Sequence, residues 1–150
     1  MHFTFFDLDL IPVLDTIKNI AQNTNIWMEL TTLIIPGQND SEDELKSIAN
    51  FIAKSAGVDT PWHISRFYPM YKMSDGKPTP AETLRKAYDI AKSAGLNYVY
   101  IGNLPSADAE NTYCPDCGKA VIERAGYSIS SNNLEDGKCP ECGKEIAGRF

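Results

Sequence analysis

The sequence predicts an α/β fold followed by a small cysteine-bearing module, on three observations. Stretches with helical apolar spacing alternate with short β-branched and apolar runs in the order helix, strand, helix, strand, helix, strand. Such alternation implies parallel strands joined by right-handed crossovers, as an α/β layer or part of a barrel. All four cysteines then fall in two matching knuckles, Cys114-Pro115-Asp116-Cys117-Gly118 and Cys139-Pro140-Glu141-Cys142-Gly143. Pro105-Ser106-Ala107-Asp108 reads as the boundary, so residues 1–108 are expected to form the α/β part and 109–150 the module.

The first helix is predicted over about Asp9 to Gln22, where Leu10, Val13, Leu14, Ile17 and Ala21 share a face and Pro12 falls in the tolerant first turn. Ile26 to Ile35 follows as a largely buried strand, stopped by Pro36-Gly37. Ser41 and Glu44 have capping-box spacing for a second helix, whose stripe is Leu45, Ile48, Ala49, Ile52 and Ala56, with Gly57 as its stop. Trp62 to Tyr68 is the second strand, and Pro69 to Pro78 a loop. Thr79-Pro80-Ala81-Glu82 combines an N-cap, a first-turn proline and a reciprocal glutamate. The third helix then buries Leu84, Ala87, Ala91 and Ala94 up to Gly95, and Leu96 to Ile101 is the third strand.

Three parallel strands are few, because parallel sheets are normally covered on both faces and either extend or close. The expectation is therefore a partial (βα) barrel of about three parallel strands, in a chain that lacks the front of its domain. Its missing N-terminal half, or a full-length parent, is the first expected partner. An exposed edge along the Ile26 to Ile35 strand would also invite self-association.

Composition excludes some classes. A hydrophobic content of 43% with 23% charged residues is that of a soluble globular protein. No run of about 18 apolar residues marks a membrane span. The start, Met1 to Asp7, lacks a basic leader and a small-residue cleavage site, so a cytoplasmic, reducing compartment is expected. A net charge of -6 disfavours nucleic acid, whose binding relies on lysine and arginine neutralising phosphates.

The knuckles read C-x2-C-x21-C-x2-C, the spacing of a tetrahedral thiolate site with ligands Cys114, Cys117, Cys139 and Cys142. A reducing compartment favours thiolates on a metal over disulfides. Zinc in a ribbon is the first reading; rubredoxin-like iron and thiol redox chemistry are the alternatives. The glycine after each pair is expected to let the backbone approach the sulfurs closely. A closed four-thiolate site leaves no open position for substrate, so its role is structural.

Four segments in one order carry a resemblance: Trp27 to Asp40, Pro61 to Pro69, Tyr98 to Asn103, and Glu110 to Pro115. Together they resemble the C-terminal half of the radical SAM protein of the AmmeMemoRadiSam system, related to pyruvate formate-lyase activating enzymes. The resemblance covers the chain from about Ile11 to its end. It implies a partial barrel with its active site at the C-terminal ends of the strands, followed by a cysteine-ligated ribbon. Such enzymes hold a [4Fe-4S] cluster through a CxxxCxxC loop and cleave S-adenosylmethionine on its open iron. No such triplet exists here, so cluster and S-adenosylmethionine belong to the full-length family and this chain is expected to be inactive alone.

Alternation puts His63, Ser65 and Phe67 on one side of the second strand. The resemblance places His63, Phe67 and Tyr68 toward the S-adenosylmethionine side of the rim, with the loop to Lys72 beside them. The competing reading is a hydrogen-bonded interior histidine and an ordinary loop. Glu29 is expected as a satisfied structural carboxylate rather than a catalytic one, Gln38-Asn39-Asp40 as the approach to a helix, and Tyr98 and Tyr100 as packing. The functional alternative to an enzyme fragment is a non-catalytic zinc-ribbon module that binds protein. Asp116, Glu123, Glu135, Asp136, Glu141 and Glu145 favour protein over nucleic acid for it.

Overall fold

The structure, a computed structural model, describes residues 9–104 and 108–149. The leader region at Met1 to Asp7 and the boundary at residues 105–107 lie outside them. Helix α1 (Leu10–Asn23) leads through an extended stretch to strand β1 (Leu30–Ile34), helix α2 (Glu42–Phe51) and strand β2 (Trp62–Arg66). Helix α3 (Ala81–Ser93) and strand β3 (Val99–Gly102) complete this part. The strands are parallel in the order β1-β2-β3, with Thr31 opposite His63 and His63 opposite Tyr100. This sheet is open, not a closed barrel.

One face of the sheet makes the main core. Ile34, Trp62, Ile64, Val99 and Ile101 point at Leu45, Ala49 and Ile52 of the second helical segment and at Leu84, Ala87 and Ala91 of α3. Among the described residues no helix covers the opposite face, which corrects the expectation of a largely buried first strand. Strand β1 is shorter than Ile26 to Ile35 and only half-buried, since Thr31 and Leu33 are exposed. Helix α1 buries none of its residues, because it packs against the Ile52–Ala56 turn rather than into the core. That turn is a π-helical extension of α2, and Gly57 ends it at φ 106°. Ser41 caps α2 as expected, accepting the Glu44 amide at 3.3 Å and donating to Glu44 Oε2 at 2.8 Å. Asn39 and Asp40 close the turn before it: Asn39 bonds Ile35 N and Leu33 O, and Asp40 accepts the Gly37 amide.

Thr79 departs from its expected role. It is fully buried and caps nothing; α3 starts at Ala81, behind a Pro80 that makes no side-chain cap bond.

Residues 108–149 form an antiparallel sheet, β4 (Thr112–Tyr113), β5 (Ala120–Ala125) and β6 (Ser128–Asn132), in that order, with the two knuckles at its base. Its small core of Cys114, Val121, Ile122, Cys139 and Ile146 takes in Tyr98, which immediately precedes β3. Tyr98 Oη accepts the Ala147 amide at 3.1 Å, and the Ile101 amide donates to Ala109 O at 3.0 Å. Among the described residues no helix is long and apolar enough to cross a membrane.

Candidate functional site

The two knuckles are built alike. Cys114 N donates to Lys119 O and Cys139 N to Lys144 O, both at 2.8 Å, while Gly118 and Gly143 close each turn back onto the first cysteine carbonyl at 2.9 Å. These glycines sit at φ 73° and 74°, and a Cβ on either would meet nothing within 4 Å. Left-handed backbone, not close approach to the sulfurs, is why glycine is needed. The four sulfurs lie within 4.8 Å of one another, with Cys114 to Cys142 at 3.5 Å and Cys117 to Cys139 at 3.6 Å. A tetrahedron with metal–sulfur bonds of about 2.3 Å has edges of about 3.8 Å, so the cysteines are placed to hold one metal ion. All four are free of disulfides.

Proton sharing among these thiols is uneven. Burial pushes Cys139 up, but amides of Cys142 and Glu141 and the neighbouring thiols bring it down to about 7. Cys142 is drawn down by the Lys144 amide, yet partial desolvation and the other three thiols push it up to about 12. A cation that displaces these protons removes the conflict, which is why metal binding at such sites releases protons.

A second constellation crosses the open face of the parallel sheet. Glu29 accepts the Trp27 indole N–H at 3.0 Å and lies 2.8 Å from His63 Nε2. Burial raises the Glu29 carboxyl, but those two hydrogen bonds and the charges of His63 and Arg124 outweigh it and hold it below its ordinary value. An ionised Glu29 only accepts, so Nε2 of His63 carries the proton. The imidazole stacks on Tyr100, with centroids 5.0 Å apart and planes at 23°. Tyr100 Oη bonds Thr112 Oγ1 at 2.9 Å, and Arg124 of β5 sits 5.7 Å from the Tyr100 ring centroid. Burial holds that phenol above its ordinary value, against the pull of Thr112 and Arg124. Thus carboxylate, imidazole, phenol and guanidinium line up from β1 to the antiparallel sheet, along one wall of a cleft of about 810 Å³.

The rim residues do not gather there. His63 lines the cleft, but Phe67 is buried with its ring 3.4 Å from where a Cβ on Gly76 would stand. Tyr68 lies at the C-terminal end of the sheet, its hydroxyl donating to Asn103 O at 3.1 Å and its ring 4.9 Å from the Arg66 guanidinium carbon. Met70 and Tyr71 are exposed on the following loop. Sequence reasoning missed Arg124. Its one signal was an arginine directly after Val121-Ile122-Glu123, in a module where acidic residues outnumber basic ones.

Fold and site together define an α/β protein whose open sheet face meets a four-cysteine, metal-accepting antiparallel module. It is similar to the uncharacterized protein MJ0808 of Methanocaldococcus jannaschii, with 48% identity over 126 residues, which is 84% of this chain and 38% of that protein. The chain thus spans well under half the length of this relative. No family model matches the sequence, and no solved structure matches it.

Proposed function

We propose that this chain is the substrate-side part of a radical SAM enzyme, similar to pyruvate formate-lyase activating enzymes, braced by a zinc ribbon. One observation carries the reading: helices cover one face of the parallel sheet while Glu29, His63 and Tyr100 gather on the other, as on the inner wall of a half-barrel. The ordered segments described above support the same assignment. The cluster loop would lie on sequence beyond this chain, since all four cysteines here belong to the ribbon. When bound, a [4Fe-4S] cluster would supply the electron that cleaves S-adenosylmethionine. This chain's residues would present the substrate. Zinc suits four thiolates at tetrahedral spacing with no open position.

The longer archaeal relative provides the test. Reconstituted with iron and sulfide without oxygen, and given dithionite as the electron source, it should convert S-adenosylmethionine to methionine and 5′-deoxyadenosine. Absence of that cleavage in a cluster-loaded preparation overturns the proposal. For the ribbon, colourless protein with one zinc per chain is expected, and red protein would mean iron.

The alternative, a ribbon that binds protein without catalysis, draws on the β5–β6 hairpin, where Tyr127 and Ile129 are exposed. It predicts that Y127S with I129S abolishes partner capture while the longer relative shows no S-adenosylmethionine cleavage.

A further inference from the structure

The cleft between the open sheet face and the antiparallel module holds the Arg124 guanidinium, whose charge is felt by Glu29 but which no carboxylate contacts directly among the described residues. Arg124 is half-buried, and its Nη1 donates only to neutral acceptors, Thr112 Oγ1 at 2.8 Å and Glu110 O at 3.2 Å. Among the described residues it forms no ion pair, whereas Arg85 pairs with Asp108 at 3.0 Å. An irregularity in β5 between Glu123 and Arg124, with the Arg124 amide tied to Asn111 Oδ1 at 2.8 Å, fixes where the side chain leaves the strand. A guanidinium drawn partly out of water with uncharged partners bears a desolvation cost that an anion offsets. Its planar fork matches carboxylate and phosphate. The cleft has the volume of small-molecule sites and carries the rings of Trp27 and Tyr127, the latter fully exposed. Two carboxylates line the same cleft and both are engaged by other donors, Glu29 by Trp27 and His63 and Glu110 by the Gly126 amide at 2.6 Å.

We infer that this cleft binds a small molecule in which a carboxylate or phosphate is attached to a planar ring, the oxyanion on Arg124 and the ring against Trp27 and Tyr127. This names the ligand class of the open face used above and rests on that reading only for what later happens to the ligand. Binding is measured on the metal-loaded 150-residue chain, without S-adenosylmethionine, so its failure is separate from failure of radical chemistry. Calorimetric titration with benzoate, phenyl phosphate, inorganic phosphate and benzyl alcohol supplies the arms. A ring-bearing oxyanion should bind with Kd on the order of 1 mM or tighter, and benzyl alcohol should not bind. The tighter of benzoate and phenyl phosphate identifies the headgroup. R124Q should weaken it by about tenfold or more, and R124K by less. Y127S should weaken ring-bearing probes severalfold and leave inorganic phosphate unchanged. If R124Q loses its metal, R124K and Y127S decide. No saturable binding of any oxyanion, or binding indifferent to these substitutions, overturns the inference.

Discussion

The hydroxyl of Thr79 donates to the carbonyl of Ile34 at 2.5 Å, joining the end of β1 to a residue 45 positions later. The same oxygen accepts the Phe67 amide at 3.1 Å, and the Thr79 carbonyl accepts Arg66 Nε at 2.8 Å. One fully buried side chain therefore ties the ends of β1 and β2 to the start of α3. Thr79→Val keeps the shape but strands a carbonyl and an amide, each costing about 1–3 kcal/mol when buried without a partner. Urea denaturation should show a loss of about 2–5 kcal/mol for valine and a much smaller one for serine. A valine variant as stable as the unsubstituted chain, with serine the weaker of the two, would assign the effect to the methyl and not to the hydroxyl.

Thr79 also shows where sequence reading stops. Ser41 and Glu44 are three residues apart, so their cap is legible locally; Thr79 has the same local signature but spends its hydroxyl on Ile34. The knuckles are legible for the first reason, since each closes within six residues. Strand β1 announces its β-branched residues but not which face the helices cover. The Glu29, His63, Tyr100 and Arg124 array draws on the residue before β1, one position each in β2 and β3, and a distant hairpin. No spacing in the chain encodes that meeting. His63 is legible as a candidate because strand alternation and the resemblance place it toward the rim, whereas Arg124 becomes one only when β5 is set beside Tyr100.

Metal removal should act on one part of the chain. Thiolate–zinc binding is worth about 10–16 kcal/mol apparent in small modules, and two of the six buried residues of this module's core, Cys114 and Cys139, are themselves among the four cysteines. A strong chelator, or Cys114→Ser, should strip hydrogen-exchange protection from β4 to β6 while amides of α2 and α3 stay protected. Protection that persists in β5 after chelation would show that the site is not what holds the module.

Helices α2 and α3 are linked by a carboxylate shared between two lysines. Glu42 takes Lys46 Nζ at 2.6 Å and Lys86 Nζ at 2.7 Å. The hydrogen bonds from Lys46 and Lys86, and then their charges, lower it from an ordinary 4.5 to about 2. A carboxylate with a depressed folded pKa stabilises the fold fully above its unfolded value, and that contribution fades as pH falls through the folded one. The difference in denaturation midpoint between the unsubstituted chain and E42Q should therefore be level above about pH 5 and vanish as pH approaches about 2. Because all three groups are exposed, it should also shrink at about 1 M salt. A difference constant from neutral pH to about pH 2 would rule out the charge as its source.

The outer side of β1 is the remaining exposed feature of the parallel sheet. The strand pairs with β2 on one side only, and among the described residues no strand meets the other. Leu33 is 43% exposed on the open face, and neither a proline nor a charge interrupts Leu30 to Ile34; the Asn39 side chain covers the Leu33 carbonyl and the Ile35 amide, which leaves the first half of the strand as the bare edge. A second copy offers the same bare stretch, and edge-to-edge pairing there would satisfy the outward backbone groups that Asn39 does not reach. Sedimentation equilibrium should show the average mass of this chain rising with concentration, and Leu33→Lys, which sets a charge on the edge without touching the helix-covered core, should hold the mass at that of a monomer. A single monomeric mass up to about 1 mM would remove the edge as an association surface.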